Sequence, residues 1–351
     1  MSFANRASAK VFRDKLEIPV IQGGMGVGIS MGKLAGSVAA CGGMGVISTA
    51  LIGFREEDFY QNHVEADVRA LRKEIQIAKE IANGRGMIAI NAMTVTTDYR
   101  ECIEAAVREG IDAIISGAGL PLALPELVDG KDVLIAPIVS SAKAAALIMR
   151  SWNKKCERKP DFIVVEGSGA GGHLGFKKEE LINRSYQPLT EIVSDVVKVC
   201  GDIPVFAAGG IFDADDIKEV LKCGAYGVQM GTRFIACEEC DASQGFKEKI
   251  VKAKAEDLKI IQSPVGLPGR ALKSALHEQV EKEGRKAPSR CINCISTCDP
   301  KTTPYCISAA LISGFNGDEE NGLFFSGENC GRIDKIVKVR DLMDELSKGF
   351  E

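Results

Sequence analysis

A single histidine follows a glycine-rich stretch at the end of an apolar segment. Asp161 to Gly175 reads DFIVVEGSGAGGHLG, and Phe162 to Val165 has the apolar, β-branched character of a strand covered on both faces. The glycines from Gly167 to Gly172 leave the backbone free to adopt positive φ and to approach a ligand closely. His173 follows them, and an imidazole there can transfer protons near neutral pH. The pattern predicts an acid–base catalyst beside a ligand-binding turn, with a surface histidine in a flexible loop as the alternative.

Two later glycine turns also end apolar segments. Gly209-Gly210 follows Pro204 to Ala208, and Gly231-Thr232 follows Tyr226 to Met230. Backbone N–H groups exposed at such turns, and at the helix N-termini after them, are suited to binding phosphate. The chain has no G-x-x-x-x-G-K-[ST] sequence and no clean G-x-G-x-x-G that opens a helix. A phosphate-bearing cofactor is therefore predicted, and flavin mononucleotide (FMN) fits better than a nucleotide bound by a P-loop.

The flat ring of FMN would need room over the ends of the strands. Gly23, Gly24 and Met25 follow the first apolar segment and would allow a close approach. Asn91 and Glu166 follow two other apolar segments and are predicted to reach the same place. As alternatives, Asn91 could be a turn residue and Glu166 a surface carboxylate.

Eight apolar segments alternate with helical patterns over roughly 240 residues. This number and order predict a (β/α)8 TIM barrel, whereas a doubly wound open sheet usually stops at about five to seven strands. In a barrel the loops after the strands form the active face, and phosphate tends to bind after strands seven and eight. The predicted strands begin at Ile18, Gly45, Met87, Ala113, Val133, Phe162, Pro204 and Tyr226.

The predicted division of the chain has three parts. Residues 1–240 form the FMN-binding barrel, in which the charged segment 56–82 is expected to be a long helix. Residues 241–329 form a smaller, mostly helical region that covers the substrate and carries a cysteine cluster. Residues 330–351 contain an amphipathic helix, predicted over 333–346, that packs back on the barrel.

Composition excludes several classes of partner. The 351 residues are 45% hydrophobic with a formal charge of −4, and no basic runs stand out, which argues against nucleic acid. No apolar run approaches the ~20 residues that span a bilayer, and the amino-terminal segment has no apolar core of signal-peptide length. The expected location is the cytoplasm, with a small-molecule substrate, no membrane partner and a possible homodimer.

Four cysteines in the C-terminal part have a spacing of C-x2-C-x3-C-x7-C. In a reducing cytoplasm such a run at Cys291, Cys294, Cys298 and Cys306 predicts a zinc site or an iron–sulfur cluster more often than disulfides. The spacing matches no standard zinc ribbon. Cys330 is an alternative fourth ligand. The other interpretation is that these cysteines are free thiols that only pack against their neighbours.

The motifs together resemble a known family. In order they are PVIQGGMG, INAM, EGSGAGGHLG, FAAGGI, GVQMGTRF and SPVGLPGRALK, over most of residues 18–275. They are similar to those of the nitronate monooxygenase (2-nitropropane dioxygenase) family of FMN-dependent barrels. The resemblance implies His173 as the acid–base group. With the glycine turns, it gives as candidate cofactor-binding residues Gly23, Gly24, Met25, Asn91, Glu166, Gly171, Gly172, Gly209, Gly210, Gln229, Met230, Gly231 and Thr232.

The residue at position 166 leaves two flavin-dependent activities open, a nitronate monooxygenase and an enoyl-thioester reductase. Many nitronate monooxygenases have glutamine here, whereas the related FMN-dependent enoyl-[acyl-carrier-protein] reductases have glutamate. A nitronate monooxygenase would oxidise alkyl nitronates with O2, and His173 would deprotonate a nitroalkane or stabilise the nitronate. An enoyl-thioester reductase would use NADH, and His173 would protonate the α-carbon. A metal-binding or redox-sensing module is the alternative from another class, based on the cysteines.

Overall fold

Eight parallel strands close into a barrel in the computed structural model, which describes Phe12 and residues 14–351. Residues 1–11 and 13, which include most of the amino-terminal segment discussed above, lie outside the described residues. The barrel strands are β1 (Val20–Gln22), β2 (Met44–Ser48), β3 (Met87–Met93), β4 (Ala113–Gly117), β5 (Leu134–Val139), β6 (Ile163–Glu166), β8 (Val205–Ala208) and β9 (Gly227–Met230). Parallel pairing of β1 with β9 closes the barrel. The predicted TIM barrel is confirmed, and the open sheet is wrong.

Helices alternate with the strands, and several begin at residues that cap them. Ser141 Oγ accepts from the Ala144 N–H, and the Asp213 carboxylate accepts from the Asp215 and Asp216 N–H groups. The helices are Gly32–Ala40, His63–Ala82, Tyr99–Arg108, Leu124–Leu127, Ala142–Cys156, Lys178–Asn183, Leu189–Cys200, Ala214–Lys222, Thr232–Ile235, Gln244–Lys252, Ala275–Glu283, Ile307–Phe315 and Val339–Ser347. Within the described ranges, each helix is too short or too polar to cross a membrane.

Aromatic side chains fill the amino-terminal end of the barrel. Phe12 packs edge-on against Phe162 and Phe206, with ring centroids 5.2 and 5.4 Å apart. All three side chains are fully buried. These side chains close this end of the barrel, and the carboxyl ends of the strands lie opposite it.

A three-stranded antiparallel sheet lies outside the barrel. Its strands are β7 (Gly172–His173), β10 (Leu258–Gln262) and β11 (Pro268–Leu272), with β11 in the middle. Gly269 pairs with His173, so the C-terminal part of the chain holds the loop that follows β6. The sequence predicts helices in this part, and the β10–β11 hairpin is an additional element that it does not predict.

Two predicted helices are shorter than expected, one where a buried side chain packs and the other where the backbone pairs with a distant residue. The segment predicted as a helix from residue 56 forms turns until Asn62. Phe59 lies in these turns and is buried in a cluster with Val27 and Leu51. The helix predicted from residue 333 begins only at Val339. Before it, the Val337 N–H donates to the Ala236 carbonyl at 3.0 Å, which holds this residue in extended pairing.

Candidate active site

One cavity of about 490 Å³ opens at the carboxyl ends of the barrel strands. This volume lies within the range of small-molecule and cofactor sites. Every candidate site residue apart from the four cysteines lines it. These residues are Gly23, Gly24, Met25, Asn91, Glu166, Gly171, Gly172, His173, Gly209, Gly210, Gln229, Met230, Gly231 and Thr232.

At one end of the cavity the glycine turns after β8 and β9 meet. Gly209 and Gly210 have φ of 89° and 87°, a left-handed conformation that L side chains rarely adopt. A Cβ on Gly209 would lie 2.7 Å from the Gly167 carbonyl oxygen. Thr232 Oγ1 accepts from the Gly327 N–H at 2.9 Å, so a C-terminal segment is bound against the same turns. The result is a backbone cradle that a side chain would fill, which suits the phosphate of FMN.

A second part of the cavity lies where the turn after β1 approaches the side-chain amides of Asn91 and Gln229. A Cβ on Gly23 would meet the side chain of Gln229 at 3.2 Å, and one on Gly24 would collide with Asn91. Gln229 Oε1 is buried and accepts no hydrogen bond from the described residues. A buried carbonyl without a donor is costly, so this oxygen is a point where a ligand N–H group would be stabilised. The amides and the glycine cradle therefore fit a molecule with a polar ring and a phosphate.

His173 stands in the cavity wall on the short strand β7. Its Nε2 lies 2.7 Å from Ser263 Oγ, and its ring packs edge-on against Phe325 with centroids 5.1 Å apart. Burial lowers the pKa of His173 to about 4, so the imidazole is neutral near pH 7. Nδ1 makes no hydrogen bond to the described part of the chain. When Nε2 carries the proton and donates to Ser263, Nδ1 is available as a proton acceptor.

Glu166 ends β6 and faces the same cavity. Burial raises the pKa of Glu166 to about 8, because no cation near it offsets the loss of water. The carboxyl group is therefore protonated at pH 7 and can donate a hydrogen bond. The alternative of a surface carboxylate is wrong for this residue.

Arg233 is the one arginine or lysine among the described residues that line the cavity. Both of its terminal nitrogens donate to Glu345, at 2.6 and 3.0 Å, and its guanidinium stacks 4.5 Å from the centre of the Phe212 ring. Its charge is thus already neutralised. The rest of the wall between β3 and the C-terminal region is largely apolar, with Met93, Leu120, Ile138, Leu267, Leu311 and Phe325.

Sequence reasoning missed the wall contributed by residues 325–329. Asn329 Nδ2 donates to the Gly210 carbonyl at 2.6 Å, and the exposed Glu328 lies against Gly169 and Gly210. No local pattern in this segment marks it as part of the site. Ser263 was within a quoted family motif, SPVGLPGRALK, which was the only signal for its position beside His173.

The structure does not support the predicted zinc or iron–sulfur site at Cys291, Cys294, Cys298 and Cys306. In Phe12 and residues 14–351, no three or more Cys, His, Asp or Glu side chains are placed to hold a metal ion. The Cys294 thiol instead lies 2.8 Å from Ser308 Oγ, and burial raises its pKa to about 11, which disfavours the thiolate that metals bind. The alternative fourth ligand, Cys330, is buried in a separate turn.

Known proteins with similar sequences are oxidoreductases. A family model described as nitronate monooxygenase matches residues 9–349. A probable nitronate monooxygenase of Bacillus subtilis is 27% identical over 93% of this chain and 94% of its own. A Mycobacterium tuberculosis protein named (3aS,4S,5R,7aS)-5-hydroxy-7a-methyl-1-oxo-octahydro-1H-indene-4-carboxyl-CoA dehydrogenase is 26% identical, with 94% of this chain and 92% of its own covered.

Solved structures share the fold over nearly the whole chain. FabK from Thermotoga maritima aligns with a TM-score of 0.76 and 25% identity, covering 98% of this chain and 96% of its own. A nitroalkane oxidase from Streptomyces ansochromogenes aligns with a TM-score of 0.73 over 96% of this chain and 98% of its own. Its identity is 17%, so this second likeness concerns the fold alone.

Proposed function

Because the chain belongs to the nitronate monooxygenase family, and is therefore an oxidoreductase, we propose that it is an FMN-dependent enzyme that oxidises alkyl nitronates with O2. The observation that carries the proposal is one cavity in which the glycine turns after β6, β8 and β9 lie beside a neutral histidine. The backbone N–H groups of the turns can bind a phosphate, and the histidine can accept a proton from a carbon atom of the substrate. When bound, FMN would accept electrons from the substrate carbon and pass them to O2.

The chain's own groups would hold the cofactor by backbone and amide contacts. Gly209, Gly210 and Gly231 would receive the phosphate, with Thr232 fixing the neighbouring C-terminal segment through its hydroxyl. Asn91 and Gln229 would hydrogen-bond the polar edge of the ring, which satisfies the unpartnered Gln229 Oε1.

His173 would act as the base for a nitroalkane substrate. The C–H bond breaks, its proton moves to Nδ1, and its electron pair enters the nitro group to give the nitronate. The Ser263 hydroxyl would keep the other ring proton on Nε2, which fixes the tautomer needed for this transfer. With a pKa of about 4 the ring is neutral at pH 7, which is the form that can accept a proton.

The apolar wall predicts a preference among nitronates of equal length. Propyl-1-nitronate and propionate 3-nitronate both have three carbons, but the second also buries a carboxylate. The one lining arginine is already paired with Glu345, so we expect kcat/KM to be at least about tenfold lower for propionate 3-nitronate. Oxygen uptake with both substrates measures the ratio. A higher kcat/KM for propionate 3-nitronate would show that an unpaired cation reaches the substrate.

The flavin spectrum under anaerobic conditions tests the proposed activity. The purified protein should be yellow and release FMN on denaturation, and an alkyl nitronate should bleach the bound flavin without O2. Admission of O2 should then restore the colour. A flavin that stays oxidised with every nitronate would rule out the monooxygenase reaction.

An enoyl-thioester reductase is the second candidate, and Glu166 favours it. This residue matches the glutamate of the related enoyl reductases, and its raised pKa makes it a proton donor at pH 7. The similarity to FabK and to a CoA dehydrogenase is consistent with a thioester substrate. NADH should then bleach the flavin and crotonyl-CoA should restore it under anaerobic conditions. Absence of bleaching by NADH would exclude this route.

A further inference from the structure

Arg270 lies behind the glycine turn that follows β6. It belongs to β11, and only 7% of its surface is exposed. Its Nη1 donates to the carbonyl oxygens of Ser168 and Ala170, the latter at 2.8 Å. Both bonds come from one guanidinium nitrogen, so this single charged group holds the two carbonyls together. The side chain thus fixes the backbone of a turn that lines the cavity.

The other two carbonyls of this turn also have donors in the protein. The Gly167 oxygen accepts from the Ala170 N–H at 3.3 Å, and the Gly169 oxygen accepts from the Glu328 N–H at 3.1 Å. All four carbonyl groups of residues 167–170 are therefore hydrogen-bonded to the protein. Since carbonyl oxygens repel anions, this arrangement removes an obstacle to a negatively charged ligand.

The charge of Arg270 has no counter-ion within the described residues. No carboxylate there lies within ion-pair distance of its guanidinium, although Arg158, Arg233 and Arg332 each have an acidic partner. Glu328 is the acidic residue whose charge acts most strongly on Arg270; its exposed carboxylate lies against Gly169 and Gly210 and forms no ion pair with the guanidinium. A buried cation without a partner is costly, and a bound anion would remove that cost.

We propose that Arg270 is a positioning residue that supplies a buried counter-charge for the phosphate end of the cofactor across the turn 167–170. The inference rests on the proposed FMN site. It adds that affinity depends on a side chain that contacts the turn from behind, in addition to the backbone groups that face the ligand. The expected signature is selectivity for FMN over riboflavin, which has the same ring and no phosphate.

The test compares the two flavins in apoprotein carrying Arg270→Gln. Dissociation constants for FMN and riboflavin are measured by flavin fluorescence, together with the melting temperature. We expect the substitution to weaken FMN binding roughly 10- to 100-fold more than riboflavin binding. FMN affinity of the unchanged protein should also fall with salt more steeply than in the variant.

Arg158→Gln is the matched control. Arg158 donates to the Val133 carbonyl and to Asp161, at the opposite end of β6 from the cavity. The Arg158→Gln substitution should lower the melting temperature and leave the ratio of the FMN and riboflavin affinities unchanged.

The outcomes separate this inference from the proposed function. Failure of the unchanged protein to bind FMN would overturn both. Selective FMN binding in the unchanged protein, with equal losses for FMN and riboflavin in Arg270→Gln, would overturn only the role of Arg270. If Arg270→Gln does not fold, Arg270→Lys decides the question. It keeps the charge, so a folded Lys variant should retain most of the preference for FMN, and loss of the preference would contradict the proposal.

Discussion

His173→Ala should leave FMN bound while turnover of a neutral nitroalkane falls by roughly 10²- to 10⁴-fold. The glycine turns that would hold the phosphate do not depend on the imidazole, whose hydrogen bond goes to Ser263. A preformed nitronate has already lost the proton, so its turnover should decline far less. Flavin content, melting temperature and oxygen uptake with both forms of one substrate measure the effect.

His277→Ala is the control for this substitution. His277 is 5% exposed, and burial lowers its pKa to about 4, as for His173. Its Nδ1 lies 3.2 Å from Ser274 Oγ, away from the cavity. This variant should lose stability and keep the ratio of the two substrate activities. A parallel decline of both substrate forms with loss of flavin in His173→Ala would show a structural role for His173.

Gly210→Val should abolish FMN retention. The residue has φ of 87°, and a Cβ there would lie 2.6 Å from Glu328 Oε1 in the expected phosphate cradle. The variant should also lose about 1–3 kcal/mol of folding free energy, because valine is strained at this φ. Flavin content after purification and the free energy of unfolding of the apoprotein report the two effects.

Substitutions at two other glycines separate the effect of backbone strain from the effect of filling the phosphate cradle. Gly231 has φ of −118°, and its Cβ would meet nothing closer than Met25 Sδ at 3.4 Å. Gly231→Val should therefore lose FMN with little change in stability. Gly284 has φ of 79° with nothing within 4 Å, so Gly284→Val should lose stability and keep FMN. Full flavin content in Gly210→Val or Gly231→Val would place the phosphate elsewhere.

The barrel could be predicted because each strand is a run of apolar residues, so its burial is visible in the local sequence. Segments such as Met87–Met93 and Ile163–Glu166 are apolar on both faces, as strands between a core and a helical layer must be. The glycines after β6, β8 and β9 could likewise be assigned to one site, because parallel strands bring their carboxyl ends together.

The remaining parts of the site depend on contacts between distant residues. Strand β7 has two residues, and its partner β11 begins at Pro268, far along the chain. A strand this short has no periodicity to detect. Arg270 reads as an ordinary charged residue until the fold places it against the carbonyls of Ser168 and Ala170. Cysteine spacing likewise contains no information on where the thiols point, which is why the predicted metal site was not supported.

The histidine and the floor of the cavity belong to different sheets. The barrel strands supply the glycine turns, Asn91 and Gln229, whereas His173 is held by β11, whose hairpin contributes Ser263 next to the imidazole. Insertions or exchanges in the hairpin would move the base relative to a fixed cofactor. Because of this separation, sequence changes in the β10–β11 hairpin could alter the substrate while the barrel strands that face the cofactor stay unchanged.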